Sequence, residues 1–365
     1  MPGLSFLLKG EGVTAMLSYL IVGSGYRSEF FGRIARKYPG IFRAMFLCRS
    51  KEKTDLMTAH TGIPATTDLD EALAFNPDFV VVAVDRGHMA EVIEEWVLRG
   101  YPVVSETPVG ATLEELERIW KLKEEKNAKI VSCEQYPRYP VLMEGEALVA
   151  KGLLGEPHTA YLSLLHHYHA FALLKRILLT DGEDYVLTGE RIDTPVTETD
   201  SRYGAFYDGR MGREVRDIVN ITFESGKKAI YDFSSVEYRS FIRSRHLILR
   251  CEKGEWNDRM LYLLEDGVPE KRFLMPKIPE KYRDLDTQAL RDIRRTWDPE
   301  LQLESEQDEF AIASILFDMK DYLEGGESPY PLREALDDAL FWILIEEAVK
   351  TPGKPVKCPD MPWRR

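Results

Sequence analysis

The chain has 365 residues and a formal net charge of −13, and 44% of its residues are hydrophobic and 11% aromatic. This length and composition predict two globular domains with well-filled cores. Acidity argues against a general nucleic-acid or anionic-membrane surface, because both favour basic patches, so we expect neither partner.

The cysteines are widely spaced, at Cys48, Cys133, Cys251 and Cys358. They form no C-x-x-C pair and have no histidine at metal-ligand spacing, so we expect reduced thiols and no zinc site. No apolar run reaches the roughly 18 residues that cross a bilayer, and residues 1–17 contain no clear signal-peptide core. A cytoplasmic enzyme fits these features, with residues 1–17 as an extension of unassigned function.

The first predicted element is a strand, Tyr19–Val22, that leads into Gly23, Ser24 and Gly25 and then into a helix. Four consecutive apolar residues suit a strand buried on both faces of a parallel sheet. Gly23 allows a tight turn, Gly25 lets a phosphate approach the backbone, and Ser28 is small enough for close helix–strand packing. Such a turn also occurs at ordinary strand-to-helix junctions. If it binds a dinucleotide at the helix N-terminus, the residues involved are Gly23, Ser24, Gly25, Tyr26 and Arg27.

Strand and helix signals then alternate as in a doubly wound α/β domain. The strongest strand is Asp78–Val84, an apolar, β-branched run typical of a central parallel strand. Asp68 is the predicted N-cap of the third helix. The other predicted strands are Arg43–Cys48, Ile63–Ala65, Tyr101–Ser105 and Lys129–Cys133, and the predicted helices are Arg27–Tyr38, Lys51–His60, Asp68–Phe75, Met89–Arg99 and Leu113–Lys126. Together they predict a complete Rossmann dinucleotide-binding domain over residues 18–139.

The pattern of predicted elements changes near residue 140, where strands follow one another with turns between them instead of alternating with helices. This pattern predicts an α+β domain over residues 140–365, with a largely antiparallel sheet and helices on one face. The predicted strands are Tyr161–Leu165, Tyr185–Arg191, Val215–Phe223, Lys228–Phe233, His246–Cys251, Met260–Leu264 and Lys271–Leu274. The predicted helices are Val141–Lys151, His169–Leu179, Glu304–Leu323 and Leu332–Val349, and Pro276–Pro299 is expected to be irregular.

Four segments, in family order, resemble the Gfo/Idh/MocA family: the glycine turn, SETPVG after the fifth strand, EALVAKGLLGEPHTAYL, and EALDDALFWILIEEAVKTPGKPV. The resemblance spans nearly the whole chain. It implies an N-terminal Rossmann domain and a C-terminal domain with an open-faced, mostly antiparallel sheet. It also implies binding of NAD or NADP and oxidation or reduction of a sugar, a polyol or a related carbonyl compound.

The chain departs from the family at two positions where relatives carry proton-handling groups. The family's Glu-Lys-Pro motif reads Glu106-Thr107-Pro108, and threonine cannot take up a proton at neutral pH. In the family's H-x-x-D motif, aligned on His169, Ala172 replaces the carboxylate. Glu106 and Thr107 keep the family position near the nicotinamide, so we predict that both contact the cofactor.

A histidine-rich run, His166-His167-Tyr168-His169, lies where relatives carry catalytic residues. In one interpretation, strand alternation directs His166 and Tyr168 to one side and His167 to the other, with some of them only packed or solvated. In the other, an imidazole suited to acid–base chemistry near neutrality replaces the missing groups. We predict that His169 is catalytic, with Tyr168, His166 and Lys175. A metal site is a third alternative, but acidic partners are lacking nearby in sequence and we predict none.

Two further groups follow the ends of predicted strands, where open α/β sheets bind ligands. Glu134, Tyr136 and Arg138 are predicted to contact the substrate, although Tyr136 could pack between domains and Arg138 could form a surface ion pair. The second strand ends at Arg49 and Ser50, not at the acidic residue of NAD-selective sites. Arginine can bind a 2′-phosphate with several donors, so NADP(H) is the favoured cofactor and NAD(H) the alternative.

These features predict an NAD(P)-dependent oxidoreductase that acts on a sugar, polyol or glycoside. Transient oxidation could promote glycosidic-bond cleavage, as in some relatives without the motif lysine. Alternatively, the protein could sense ligands without turnover, as does the galactose-pathway repressor that resembles this family. Apolar and polar residues alternate in Val215–Phe223 and Lys228–Phe233, which predicts an open sheet face, so we expect a homodimer or homotetramer.

Overall fold

The computed structural model describes residues 16–202, 204–287 and 304–364. Residues 1–15 of the predicted extension, and the part of the predicted irregular stretch after residue 287, lie outside the described residues. The first strand begins at Leu17, one residue before the predicted start of the Rossmann domain. A helix begins at Pro140, next to the predicted domain boundary, which itself stays a prediction.

The N-terminal sheet confirms the predicted Rossmann fold. Its strands are β1 (Leu17–Val22), β2 (Phe42–Leu47), β3 (Ala65–Thr66), β4 (Phe79–Val82), β5 (Val103–Ser105) and β6 (Ile130–Ser132). All pairs are parallel, in the order β3-β2-β1-β4-β5-β6. Leu20, Val80 and Val104 are fully buried, as expected for a parallel sheet covered on both faces. The strand order reverses between β1 and β4, and the crevice at that point is the ligand site of such folds.

The crossover helices lie close to their predicted positions. They are α1 (Tyr26–Lys37), α2 (Lys51–Thr61), α3 (Leu69–Ala74), α4 (Met89–Leu98) and α5 (Leu113–Lys126). Asp68 caps α3, as predicted, by accepting the Asp70 N–H at 2.8 Å and the Glu71 N–H at 3.2 Å. The prediction of a strand at Ile63–Ala65 is wrong by two residues, because only Ala65 and Thr66 pair with β2.

The second sheet has nine strands and is antiparallel apart from one pair, which confirms the predicted fold class. Its order is β16-β15-β14-β13-β7-β12-β11-β8-β17, with β7 and β12 parallel, and β9 and β10 form a separate short ribbon. The strands are β7 (Pro157–Ser163), β8 (Tyr185–Thr197), β9 (Asp200–Ser201), β10 (Gly204–Ala205), β11 (Met211–Phe223), β12 (Lys228–Ser234), β13 (His246–Cys251), β14 (Gly254–Asn257), β15 (Met260–Glu265), β16 (Val268–Phe273) and β17 (Val356–Lys357).

Helices cover one face of this sheet. The helices of the second domain are α6 (Pro140–Ala150), α7 (His167–Leu178), α8 (Glu304–Leu323) and α9 (Leu332–Lys350). Of these, α7 and α9 pack on the sheet, whereas α8 packs on α1. The rings of Phe171 on α7 and Phe341 on α9 stack at 4.4 Å, and both helices pack above the sheet residue Tyr231. The predicted start of α7 at His169 is wrong by two residues. No helix within the described ranges has the length and apolar character needed to span a bilayer.

Ion pairs join α8 to the Rossmann domain and so fix one wall of the cleft between the two sheets. Glu309 accepts from Arg33 at 2.8 Å and from Lys37 at 3.1 Å. Asp308, one residue earlier, pairs with Arg27 at 3.1 Å. All three cations lie on α1, the helix that follows the glycine turn, so α8 is held against that helix.

Candidate functional site

A cleft of about 2240 Å³ opens at the carboxyl ends of β1, β2 and β4 and continues onto the second domain. Sites for single small ligands usually measure roughly 300–1,000 Å³, so this cleft has room for a dinucleotide and a second ligand together. The Rossmann domain contributes the glycine turn, and the second domain contributes the start of α7 and the loop Ser235–Arg245.

The glycine turn has the geometry of a phosphate-binding turn. Gly23 has a φ of +136°, and a Cβ at this position would collide with the carbonyl oxygen of Ala83. Ser28 donates its hydroxyl to the same carbonyl at 2.9 Å and accepts the Gly25 N–H at 3.2 Å, which ties the helix start to β4. A Cβ at Gly25 would meet no atom within 4 Å, so the backbone there faces open space. A pyrophosphate can therefore approach this turn.

The beginning of α1 leaves backbone donors for an anion. Gly25 is the N-cap and provides no side-chain cap, so the first N–H groups of the helix, at Tyr26 and Arg27, face the cleft lined by both residues. The guanidinium of Arg27 is already engaged, because it pairs with Glu106 at 2.9 Å and with Asp308. Arg27 thus offers its backbone to a dinucleotide, while its side chain joins α1 to β5 and α8.

Arg49 and Ser50, which follow β2, are both exposed but differ in their relation to the cleft. Arg49 is exposed and lines the cleft, whereas the Ser50 hydroxyl accepts the Lys53 N–H at 3.4 Å as the N-cap of α2. The side chain of Lys53 also lines the cleft, one turn into α2. Sequence reasoning missed Lys53, although its position three residues after an N-cap serine was visible.

Glu106 and Thr107 lie at the end of β5, as predicted, and both line the cleft. Glu106 is buried and accepts the Thr107 N–H at 3.2 Å as well as the guanidinium of Arg27. Burial raises the pKa of Glu106, and the neighbouring Arg27 opposes that shift. The neighbouring Gln135 has a buried side-chain oxygen without a hydrogen-bond partner in the described structure, so the cleft offers an acceptor to a ligand.

The histidine-rich run forms the start of helix α7 instead of continuing a strand. His166 is the N-cap of α7, and His167 has a φ of +43°, so the predicted strand alternation of these side chains is wrong. The turn brings His166, Tyr168 and His169 to the cleft, with ring centroids 4.5–5.1 Å apart. His167 is not among the lining residues of this cleft, and its Nε2 atom lies 4.0 Å from a carboxylate oxygen of Asp217.

Glu134 and His169 form a buried hydrogen-bonded pair. Oε2 of Glu134 lies 2.6 Å from Nδ1 of His169, and Oε1 accepts the Tyr136 N–H at 3.2 Å. Nε2 of His169 has no hydrogen-bond partner among the described residues, and the ring lines the cleft. Burial raises the pKa of Glu134 to about 8, and burial together with the charge of Arg27 lowers the pKa of His169. Burial therefore favours the state in which Glu134 and His169 are both neutral over the state in which they form an ion pair.

A second hydrogen-bonded chain passes through His166. Its backbone N–H donates to the Tyr238 hydroxyl at 3.1 Å, and that hydroxyl lies 3.0 Å from Nδ1 of the same residue. Nε2 lies 3.3 Å from the hydroxyl of Tyr168. These contacts are all satisfied when Tyr238 donates to Nδ1 and Nε2–H donates to Tyr168. The O–H of Tyr168 is then left to donate into the cleft.

Of the remaining predicted site residues, one lines the cleft and two do not. Tyr136 lines the cleft, with its ring edge 4.7 Å from His169. Arg138 points away and binds Asp318 at 2.8 Å, the Pro329 carbonyl and Tyr282. Lys175 lies between α7 and α9. It is 1% exposed, pairs with Asp338 at 2.8 Å and does not reach the cleft.

One group of described residues has ligand atoms close enough to hold a metal ion: His167, Asp217 and Glu346, with all three atoms within 4.8 Å. Arg191 already binds Asp217 at 2.6 Å and Glu346 at 2.7 Å. This guanidinium supplies the positive charge that the carboxylates need, so the group acts as an ion-pair network. Burial lowers the pKa of His167 to about 4.

Comparison with known proteins identifies the N-terminal part of the chain. Residues 17–134 match the family model described as an oxidoreductase family with an NAD-binding Rossmann fold, Gfo/Idh/MocA. This domain belongs to the Gfo/Idh/MocA family. The family's glycine turn and its Glu-Lys-Pro position, here Glu106-Thr107-Pro108, both fall within the match. No curated protein matches the chain.

Solved structures similar in fold to this chain include oxidoreductases in complex with NAD+ or NADH and a second small molecule. One is a levoglucosan dehydrogenase in complex with NADH and levoglucosan (15% identity, TM-score 0.71, 94% of this chain and 100% of that chain). Another is an oxidoreductase from Agrobacterium radiobacter with NAD+, L-tartaric acid and magnesium (14%, 0.69, 94% and 98%). A third is the WlbA dehydrogenase from Bordetella pertussis with NADH and UDP-GlcNAcA (15%, 0.62, 95% and 100%). At these identities the likeness establishes the fold.

Proposed function

We propose that the protein is an NAD(P)-dependent oxidoreductase that acts on a hydroxyl or carbonyl group of a sugar, polyol or glycoside. The observation that carries this proposal is the Glu134–His169 pair, because His169 lines the same cleft as the glycine turn and its ring nitrogen Nε2 has no hydrogen-bond partner among the described residues. The family of the Rossmann domain and the sugar ligands named for two structural neighbours support the substrate class.

The residues present fit a nicotinamide dinucleotide. Gly23 and Gly25 leave the backbone open to a pyrophosphate, the N-terminus of α1 supplies donors, and Gln135 offers an unpaired buried oxygen. When bound, a nicotinamide cofactor supplies hydride acceptance or donation. The chain itself has to bind and orient both reactants and move the accompanying proton.

His169 moves that proton in the proposed mechanism. With Glu134 ionised, Nδ1–H donates to the carboxylate and the lone pair on Nε2 can accept the proton of a substrate hydroxyl. As Nε2 takes the proton, the Nδ1 proton can shift to Glu134, which leaves both groups uncharged in the buried site. The same steps in reverse deliver a proton to a carbonyl oxygen during reduction. Thr107, at the position of the family lysine, takes no part in this exchange.

The test is turnover by the purified protein with NAD+ or NADP+ and a panel of sugars, polyols and glycosides that includes levoglucosan. We expect reduction of the cofactor, followed by its absorbance, and a loss of at least 100-fold in kcat for His169→Ala with cofactor affinity retained. Wild-type rates in His169→Ala would contradict the assignment. Tight cofactor binding without turnover on any compound would instead favour a ligand sensor.

A second candidate reaction is cleavage of a glycosidic bond through transient oxidation. The observation that favours it is the second proton-exchanging chain, Tyr168–His166–Tyr238, because elimination needs both a base and an acid. After oxidation of one carbon, the Glu134–His169 pair has to release the hydroxyl proton to solvent; Nε2 of His169 can then remove the proton α to the carbonyl while Tyr168 protonates the departing glycosidic oxygen. Water then adds to the double bond and the hydride returns, so sugar release without net cofactor reduction would identify this route.

We also propose a preference for NADP(H) over NAD(H). Arg49 and Lys53 both line the cleft near the end of β2, where a 2′-phosphate would lie, and the acidic residue of NAD-selective sites is absent there in the sequence. We expect Arg49→Ala to weaken NADP(H) at least tenfold and to leave NAD(H) binding within about twofold. Equal affinities of the wild-type protein for both cofactors in calorimetric titrations would contradict this preference.

A further inference from the structure

Among the arginines that line the cleft, Arg86 and Arg239 have no carboxylate partner in the described part of the chain. Arg86 follows β4 and lies over the ring of Trp342 at 5.3 Å, and Arg239 is in the loop Ser235–Arg245. Two other arginines of the cleft are neutralised, because Arg27 pairs with Glu106 and Arg243 binds Glu214. In a chain of net charge −13, a guanidinium group that lines a cleft and has no carboxylate partner is available to bind an anionic ligand.

Arg86 lies near the proton-exchanging groups, because the Trp342 ring beneath it is 6.1 Å from the ring of Tyr168, and Arg239 is the sequence neighbour of one of these groups. Burial comes first among the causes that lower the pKa of His166, and the nearby His169, His167 and Arg86 add to it, which puts Arg86 within electrostatic reach of this ring. Arg239 directly follows Tyr238, whose hydroxyl is bonded to His166. Arg86 and Arg239 thus line the same cleft as His169, the residue that a substrate would meet there.

The phosphates of a dinucleotide have their own positive partners elsewhere in the cleft. The start of α1 follows β1, and Arg49 and Lys53 follow β2. Arg86 follows β4, on the opposite side of β1 from β2, and Arg239 comes from the second domain. The cofactor thus leaves these two guanidinium groups for another anion.

Building on the proposed oxidoreductase function, we propose that the substrate is an anionic polyhydroxy compound whose carboxylate or phosphate binds Arg86 and Arg239 while a hydroxyl group meets His169. A guanidinium presents paired donors to either anion, which fixes orientation as well as affinity. The anion would also offset the charge of Arg86 and so ease protonation of the neighbouring histidines during turnover. A neutral sugar would leave both arginines without a partner.

The test compares matched ligands by calorimetry with the intact protein in saturating NADP+. The pairs are D-glucose with D-glucuronate, D-galactose with D-galacturonate, and D-glucitol with D-gluconate, and glucose 6-phosphate represents the phosphate class. We expect at least one anion to bind tenfold or more tightly than its neutral counterpart, with a preference that falls as salt rises. Tighter binding of the uronates or gluconate would identify a carboxylate, and tighter binding of the sugar phosphate a phosphate.

Variants then locate the anion. Arg86→Gln and Arg239→Gln should each reduce that preference at least fivefold and leave NADP+ affinity unchanged. Arg250→Gln, an exposed residue of β13 outside the cleft that pairs with Glu255, is the matched control and should behave as wild type. Equal affinity for neutral and anionic ligands, no binding of any anion, or unchanged preference in both cleft variants would overturn the inference. Cofactor reduction with a neutral sugar would meanwhile leave the proposed oxidoreductase function intact.

Discussion

Glu134 and His169 act as one titrating unit, and this pairing predicts a pH profile. Their 2.6 Å contact holds one proton, and burial raises the pKa of Glu134 to about 8. Oxidation needs the form with a free lone pair on Nε2. We therefore expect kcat/KM for oxidation to rise with pH and to level off above about 8. For reduction, which needs Nε2–H, kcat/KM should fall over the same range.

Glu134→Gln tests whether the carboxyl sets that profile. The amide can still accept from Nδ1–H but cannot take up the second proton. His169 then titrates alone, with a pKa that burial and Arg27 hold below its ordinary value, so the oxidation profile should be flat above neutrality, at a rate lower by about tenfold or more. A profile unchanged from wild type would exclude Glu134 as the positioning residue. Glu144→Gln, on the neighbouring helix α6, is a control with a comparable substitution.

Substitutions at the two glycines of the turn distinguish an effect on folding stability from an effect on cofactor binding. Gly23 has a positive φ and no space for a Cβ, so Gly23→Ala should lower the free energy of unfolding by about 1–3 kcal/mol or more. Gly25 has a φ of −93° and open space in front of it, so Gly25→Ala should change stability by less than about 1 kcal/mol. Its methyl group would occupy the approach of a pyrophosphate, and we expect a tenfold or greater loss of cofactor affinity. Denaturant unfolding and calorimetric titration of both variants measure the two effects.

Site residues could be predicted from the sequence where a local motif marks them, and not where they are brought together by contacts between residues far apart in sequence. Gly23, Glu106 and His169 follow directly from local patterns and family motifs. Tyr238 lies 72 residues from its partner His166 in sequence, in a loop with no motif of its own, and only the pairing of β7 with β12 and β13 brings that loop to α7. Arg86 was equally hidden, because an exposed arginine after a strand is indistinguishable in sequence from a solvated one.

Helix α7 shows how one element serves two surfaces. Its first turn carries Tyr168 and His169 to the cleft, and its later turns pack on α9, where Lys175 meets Asp338. Lys175 follows Tyr168 by seven residues, which is about two turns and roughly 10 Å along the helix axis, so its position along the axis and not its helix face takes it out of the cleft. The sequence suggested a catalytic lysine because it follows the histidines closely. The buried ion pair with Asp338 indicates instead that Lys175 stabilises the packing of α7 on α9.

This placement predicts that Lys175→Met affects stability and not chemistry. Loss of the lysine leaves Asp338 buried without its ion-pair partner, and we expect a loss of about 3 kcal/mol in the free energy of unfolding. Because burial raises the pKa of Asp338 to about 7, protonation can relieve part of this penalty at low pH. The kcat per folded molecule should stay at the wild-type value. A large drop in kcat without loss of stability would restore Lys175 to the site, and the double variant Lys175→Met/Asp338→Leu should recover much of the stability.

The ends of a helix or strand could be predicted where a local sequence signal, such as a helix cap, sets them. They could not be predicted where pairing with a distant strand sets them. Helix α5 has the predicted bounds because Thr112 and Glu115 form a capping box at its start and Asn127 ends it in the left-handed conformation. Strands β8 and β11 run to 13 residues each, well beyond the predicted Arg191 end and Val215 start, because each is extended by pairing with the other along its full length. Such cross-strand support cannot be read from either segment alone.

At the scale of the whole molecule, helices cover only one face of the nine-stranded sheet. Ala229 and Tyr231 on β12 are buried beneath α7 and α9, and Ile230 between them points to the other face with 37% of its surface exposed. Ile230 pairs across to Tyr161 on β7, which pairs in turn with Ile248 on β13. These three residues form a partly exposed apolar row in the middle of the sheet, a pattern typical of a subunit interface.

We therefore predict a homodimer, or a dimer of dimers, formed through this sheet face. Ile230→Glu places a charge in the centre of the apolar row, so light scattering over a dilution series should show a shift of the mass from the oligomer toward the monomer. Leu98→Glu is the matched control, because this leucine is 58% exposed on α4 of the Rossmann domain, away from the sheet. It should leave the mass unchanged. A wild-type protein that stays monomeric at every concentration would remove the interface, and an unaltered oligomer in Ile230→Glu would move it to another surface.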